Sequence, residues 1–141
     1  MNVWYSLSDI PGNEASVVTI GNFDGMHNGH KKVISTCIER AHKHGVDAVA
    51  ITFDPHPIQV HKPEVGLQLI SPLRDRLDAM AAAGLDATLV AHYDASVYSL
   101  EADEFVYEYL VERCGAREVV VGEDFRFGRG NAGTIDTLRE L

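Results

Sequence analysis

The chain has 141 residues, 45% of them hydrophobic, which suits one domain around a single buried core. Twelve Lys and Arg against 21 Asp and Glu leave a net charge of −9, which disfavours nucleic acid and anionic membrane surfaces and favours a small ligand or a protein partner. No basic segment followed by an apolar run opens the chain and no stretch of about 18 apolar residues occurs, so a cytoplasmic protein without membrane attachment is expected.

Residues 3–7 are a candidate first strand, and residues 16–20 a strand covered on both faces. Val33, Ile34, Cys37, Ile38 and Ala41 then share one helical face, closed by Gly45. A strand over 46–53 follows. Next comes a helix with Leu73, Leu77, Met80 and Gly84 on one side, opened by Ser71 as N-cap and Pro72 as first helical residue. After a strand over 86–91, Ser99 precedes the acidic first turn Glu101, Asp103 and Glu104 of a helix that carries Phe105, Tyr109 and Leu110 on one face and stops at Gly115. A strand over 117–121 follows. Residues 134–141 open one more amphipathic helix with Ile135, Leu138 and Leu141 on one side, and the chain stops inside it, so a fragment of something longer is expected. Strand–helix units of about 30 to 35 residues predict a parallel, doubly wound α/β sheet. Cys37 and Cys114 fall on apolar helical stripes and read as buried free thiols, with no disulfide or zinc motif.

In such a sheet, ligands bind beyond the carboxyl ends of the strands, which puts the residues after 16–20 at the natural site. That segment lies in TIGNFDGMHNGHKKVI, residues 19–34. Gly21, Gly25 and Gly29 allow a tight turn and close approach to a ligand, and His30 begins a helix whose free N–H groups and positive dipole end attract phosphate. His27 and His30 can both donate to phosphate oxygens, and Lys31 or Lys32 can add charge, Lys32 being taken into the nucleotide set. These groups suit nucleotidyl transfer, where an acceptor phosphate attacks the α-phosphorus of a nucleoside triphosphate and pyrophosphate leaves. No enzyme nucleophile is needed, only positioning and charge neutralisation, with Mg²⁺ held mainly by the nucleotide's phosphates and water.

GNFDGMHNGH, TFDPHP and VVVGEDFRFGRG, in this order after successive strands, make the chain resemble the FMN adenylyltransferase module of bacterial bifunctional riboflavin kinase/FAD synthetases over nearly its whole length. The His-x-Gly-His turn alone points only to a wider nucleotidyltransferase superfamily with a Rossmann-like fold; the other two motifs narrow it. The resemblance implies transfer of AMP from ATP to FMN, giving FAD and pyrophosphate, with residues 1–141 as the adenylyltransferase domain. It also implies that Gly21, Asn22, Phe23, Asp24 and Gly29 hold ATP, with His27 and His30 on its phosphates, and that Pro55, His56, Pro57, Asp124, Phe125 and Phe127 lie near the flavin. Pro55, Pro57, Phe125 and Phe127 can offer flat apolar surface to an isoalloxazine ring, and Asp124 can accept hydrogen bonds from the ring edge or a ribose hydroxyl. The family carries a later Ser/Thr-rich segment with arginine that closes over the triphosphate, and then a riboflavin kinase domain. Neither occurs before Leu141, so kinase activity is not expected and adenylyltransferase activity is left open.

GRGNAG, residues 128–133, satisfies the dinucleotide pattern G-x-G-x-x-G but neither follows its strand directly nor precedes an acidic residue at the required distance, and no P-loop motif occurs. His42, His44, His56, His61 and His92, with Asp54 and Asp94, match no zinc spacing and read as solvated side chains. The competing reading is a non-catalytic nucleotide-binding or dimerising module with Tyr93, Tyr98, Tyr107 and Tyr109 on an exposed patch; homo-oligomerisation and other phosphate acceptors stay open.

Overall fold

In the computed structural model of the chain, residues 1–12, 14–23, 28–54 and 72–122 are described. Among them, β1 (Asn2–Trp4), β2 (Ser16–Ile20), β3 (Asp47–Asp54), β4 (Ala87–His92) and β5 (Ala116–Val120) form a sheet of order β1-β4-β3-β2-β5, with every pair parallel. The helices are α1 (Asn28–His44), α2 (Leu73–Ala83), the short α3 (Ala95–Tyr98) and α4 (Ala102–Phe105), which continues as π-helical turns through Val106–Arg113. The doubly wound α/β architecture is thus the observed one. The last four strands lie within one residue of their expected bounds, whereas the first, expected over 3–7, runs only from Asn2 to Trp4, because the chain turns into a short 3-10 helix at Leu7–Asp9.

Side-chain alternation along the strands divides the core into two layers. Val18 and Ile20, Val49 and Ile51, and Leu89 and Ala91 face one side, under Val97, Phe105, Tyr109 and Leu110. Val17, Ala48 and Ala50 face the other, under Ile34, Cys37 and Ala41 of α1 and Met80 of α2. All five residues of β2 are buried, as a central strand covered on both faces requires. Burial pushes the Cys37 thiol up to about 12 and the Cys114 thiol up to about 11, so neither forms a thiolate at neutral pH.

Local signals were partly reassigned by packing. Pro72, not Ser71, is the N-cap of α2: its extended ψ of 146° turns its carbonyl to the Arg76 N–H, and Ser71 lies outside the described residues. Ser99 is the C-cap of α3, and Glu101 caps α4 instead, its N–H donating to Glu104 Oε1 at 3.1 Å. The wider turn that follows explains why Phe105, Tyr109, Leu110 and Cys114, four to five residues apart, are buried together: the Cys114 N–H donates five residues back to Tyr109 O at 3.2 Å. The Phe105 and Tyr109 rings stack at 4.8 Å.

Gly115 returns the chain to β5 at φ +58°, and a Cβ there would stand 2.5 Å from the Glu14 carbonyl oxygen. Gly115→Ala is therefore expected to cost about 2 kcal/mol or more, from left-handed strain and the backbone clash together. Urea denaturation should show a lower midpoint with an unchanged slope.

Candidate functional site

The chain runs β2 to β3 to β4 toward one edge and places β5 on the other side of β2, so the strand order reverses at the carboxyl end of β2. In a parallel sheet this reversal leaves a crevice, because the helices before and after it pack on opposite faces. Residues 21–23 leave β2 at that point and α1 begins five residues later, at Asn28.

The turn is built on backbone contacts to β3. The Gly21 N–H donates to Ile51 O at 3.1 Å, extending the β2–β3 pairing by one residue. The Asn22 carbonyl then accepts from Thr52 Oγ1 at 3.2 Å and from Arg76 Nη1 at 2.9 Å. Phe23 follows at φ +53°, a left-handed conformation that a bulky residue rarely adopts and that costs about 1–3 kcal/mol unless its surroundings impose it. What imposes it is burial: the Phe23 ring is 2% exposed, in the core layer of Ile34, Cys37 and Met80. Folding back, the ring lies so close to Gly21 that a Cβ on that residue would sit 3.2 Å from it. Gly21 is thus required for the space it leaves; it does not itself adopt a positive φ.

His30 stands in the first turn of α1 and meets the Phe23 ring edge-on, with centroids 5.7 Å apart and planes at 81°. Gly29 belongs to the same helical turn. Lys31 and Lys32 are exposed on α1. The Asn22 side-chain oxygen Oδ1 is buried beside the turn with no hydrogen-bond partner among the described residues, an acceptor that a ligand donor can satisfy. Asp24 and His27 lie outside the described residues, as do Pro55, His56, Pro57, Asp124, Phe125 and Phe127. The strands that lead to the last two groups are described: β3 ends at Asp54 and β5 at Val120, the two neighbours of β2.

Two residues at this point escape a sequence reading. Arg76 is 2% exposed, on the inward face of α2, where Leu73 and Leu77 are only half-buried. The buried face of α2 is therefore rotated from the expected Leu73, Leu77, Met80 stripe toward Arg76 and Met80. Thr52 is fully buried and bridges Arg76 to the Asn22 carbonyl. The available signal was an arginine four residues before Met80, at the margin of an apolar stripe.

The tyrosines do not form one exposed patch. Tyr107 is exposed and Tyr109 buried, while Tyr93 packs against Phe53 and Tyr98, each with centroids 5.6 Å apart. Burial raises the Tyr93 phenol above its usual range. His44 and Arg40 both contact Glu118, Arg40 Nη2 at 2.8 Å, so His44 serves an α1–β5 ion cluster. The Arg40 hydrogen bond, ahead of the one from His44, holds the Glu118 carboxyl below its usual range. His92 is an exposed side chain 3.8 Å from Asp94. Among the described residues no group of three His, Cys, Asp or Glu side chains could hold a metal ion.

Residues 9–141 match the FAD synthetase family. The chain is similar to the bifunctional riboflavin kinase/FMN adenylyltransferase of Escherichia coli K12, at 33% identity over 136 residues, covering 96% of this chain and 43% of that protein. It is 40% identical over 130 residues to a Geobacillus thermodenitrificans protein whose name carries the same two activities, covering 92% of this chain and 68% of that one. The crystal structure of a protein named for macrolide efflux, from Streptococcus pneumoniae, superposes with a TM-score of 0.83 at 25% identity, over 98% of this chain and 53% of that one. Among the described residues of this chain no helix is long and apolar enough to cross a membrane. The chain spans 41% of the length of a further relative with the bifunctional name, from Pseudomonas fluorescens, at 35% identity. With its parallel sheet and its His-bearing turn at the reversal point, and with nearly all its length matched, the chain belongs to the FAD synthetase family.

Proposed function

We propose that this chain transfers the AMP of ATP to FMN, giving FAD and pyrophosphate. The observation that carries the reading is the turn at the carboxyl end of β2, which runs into the N-terminus of α1 with His30 in its first turn. A helix start supplies unpaired N–H donors and a positive dipole end, a ready site for phosphates. An FMN phosphate oxygen attacks the α-phosphorus; that P–O bond forms as the bond from the α-phosphorus to its bridging oxygen breaks, and the electron pair leaves on pyrophosphate. His27 and His30 donate hydrogen bonds to the phosphate chain as charge moves onto the leaving group. Gly21, Asn22, Phe23, Asp24 and Gly29 shape the ATP turn, Phe23 through its backbone since its ring is in the core, and Lys32 adds charge. The unsatisfied Asn22 Oδ1 suits a hydroxyl or amino donor of the nucleoside.

Mg²⁺ carried in on the triphosphate would supply further charge neutralisation. That ion would be held mainly by the ATP phosphates and water. Pro55, His56, Pro57, Asp124, Phe125 and Phe127 are assigned to the flavin because in sequence they follow β3 and β5, the two strands that neighbour β2.

Calorimetry with ATP-Mg and with FMN, together with release of pyrophosphate from the pair, tests the reading; a chain that binds neither ligand overturns it. His27→Ala and His30→Ala, shown to be folded, should each weaken ATP-Mg binding or turnover by roughly 1.5–3 kcal/mol, the worth of one charge-assisted contact. Affinity and turnover equal to the parent in both variants would remove the phosphates from this turn.

A further inference from the structure

The side chain that holds the residues leaving β2 comes from α2, far away in sequence. Burying a guanidinium is unfavourable unless its donors are met, so the place where a buried arginine spends its hydrogen bonds shows what it holds. Among the described residues, Arg76 spends them on two strand ends. Nη1 donates to Asn22 O at 2.9 Å, to Thr52 Oγ1 at 3.2 Å and to Phe53 O at 3.3 Å, and Nη2 faces Asp54 Oδ1 at 3.9 Å. Asn22 is the second residue beyond β2, and Thr52, Phe53 and Asp54 are the last three of β3. Asp54 directly precedes Pro55, where the flavin-side segment begins.

The contact with Asn22 matters most. Its carbonyl belongs to the peptide that leads into Phe23, so fixing that oxygen fixes the plane from which the left-handed turn starts. Thr52 adds to the same grip, since its hydroxyl accepts from Arg76 and donates to the same carbonyl at 3.2 Å. The guanidinium is planar with donors on a rigid fork, and so it can tie two strands together where a single ammonium reaches fewer acceptors.

We propose that Arg76 is a positioning residue for AMP transfer: through the Asn22 carbonyl it sets the backbone of the ATP turn, and through Thr52 and Phe53 it locks that turn to the end of β3. This rests on the reading of residues 21–30 as the ATP site. Arg76 itself touches no substrate in this scheme. A purely structural arginine would change the fraction of folded molecules and leave the affinity of the folded ones unchanged, which makes ligand affinity the discriminating readout.

The test uses the 141-residue chain with Arg76→Met and Arg76→Lys. Folded Arg76→Met is expected to bind ATP-Mg at least tenfold more weakly than the parent, with the FMN dissociation constant changed less than threefold, and Arg76→Lys to recover most of the ATP affinity. Parental ATP-Mg affinity in folded Arg76→Met would overturn the proposal. Should that variant not fold, Thr52→Val removes one of the two donors to the Asn22 carbonyl at nearly constant volume; it should weaken ATP-Mg about threefold, and no change would overturn the proposal. Should the parent bind no ATP-Mg, the reading of the site fails separately, and hydrogen exchange then decides the positioning claim. Amides of residues 19–23 and 51–54 should exchange faster in Arg76→Met, or in Thr52→Val where Arg76→Met does not fold, than in the parent while those of β1 and β5 keep their protection, and uniform exchange would overturn it.

Discussion

Phe23→Ala is expected to destabilise the chain by roughly 3–5 kcal/mol, a large part of the stability of a domain this size. The ring is one of the largest fully buried groups, and it fills the space between the end of β2 and the inner face of α1. Its removal leaves a cavity beside Ile34, Cys37 and Met80, side chains held by helices that cannot close in on it without sliding. The backbone makes the test more specific. At φ +53° alanine is strained much as phenylalanine is, whereas glycine is not. Phe23→Gly should therefore be about 1 kcal/mol less harmful than Phe23→Ala, the reverse of the usual order within a strand or helix. Chemical denaturation of both variants measures the difference. The usual order, glycine worse than alanine, would show that the left-handed turn is not what residue 23 supplies.

The strands were legible because a sheet covered on both faces writes its burial directly into runs such as residues 16–20, and because Gly45, Gly84 and Gly115 end their helices at positive φ. The helix start carrying His30 was legible for the same local reason. The inner construction of the turn was not. Gly21 looked like a residue that turns the backbone, but its role is set by the ring of Phe23 folded over it, and the left-handed conformation belongs to the phenylalanine. Arg76 reaches Asn22 across 54 positions of sequence, and no period or cap records such a contact. The rotation of α2 that buries Arg76 in place of Leu77 follows from the same hydrogen bonds, which outweigh the modest gain from turning one more leucine fully inward. Ser99 and Ser71 show a smaller version of this: both are good caps by residue type, and packing placed the helix ends elsewhere.

The second large effect is expected at Gly21. Gly21→Val puts a branched side chain where even a Cβ would stand 3.2 Å from two atoms of the Phe23 ring. Neither group can yield easily: the ring is enclosed by Ile34, Cys37 and Met80, and residue 21 is tied to β3 through its own N–H at 3.1 Å from Ile51 O. Overpacking of this kind costs about 1–3 kcal/mol. Because Gly21 has no positive φ, the penalty should come almost entirely from the ring and not from the backbone. That makes it separable. In a Phe23→Ala background the same Gly21→Val change should cost less than about 0.5 kcal/mol, since the added methyl groups enter the vacated space, and the double-mutant cycle should show a coupling of about 1–3 kcal/mol. The single variant should also bind ATP-Mg more weakly, because displacing the ring removes the edge-on support of His30. Urea midpoints for the parent, both single variants and the double variant provide the four corners of the cycle. Costs that simply add would mean that Gly21 is demanded by the backbone path, with the Phe23 ring a bystander.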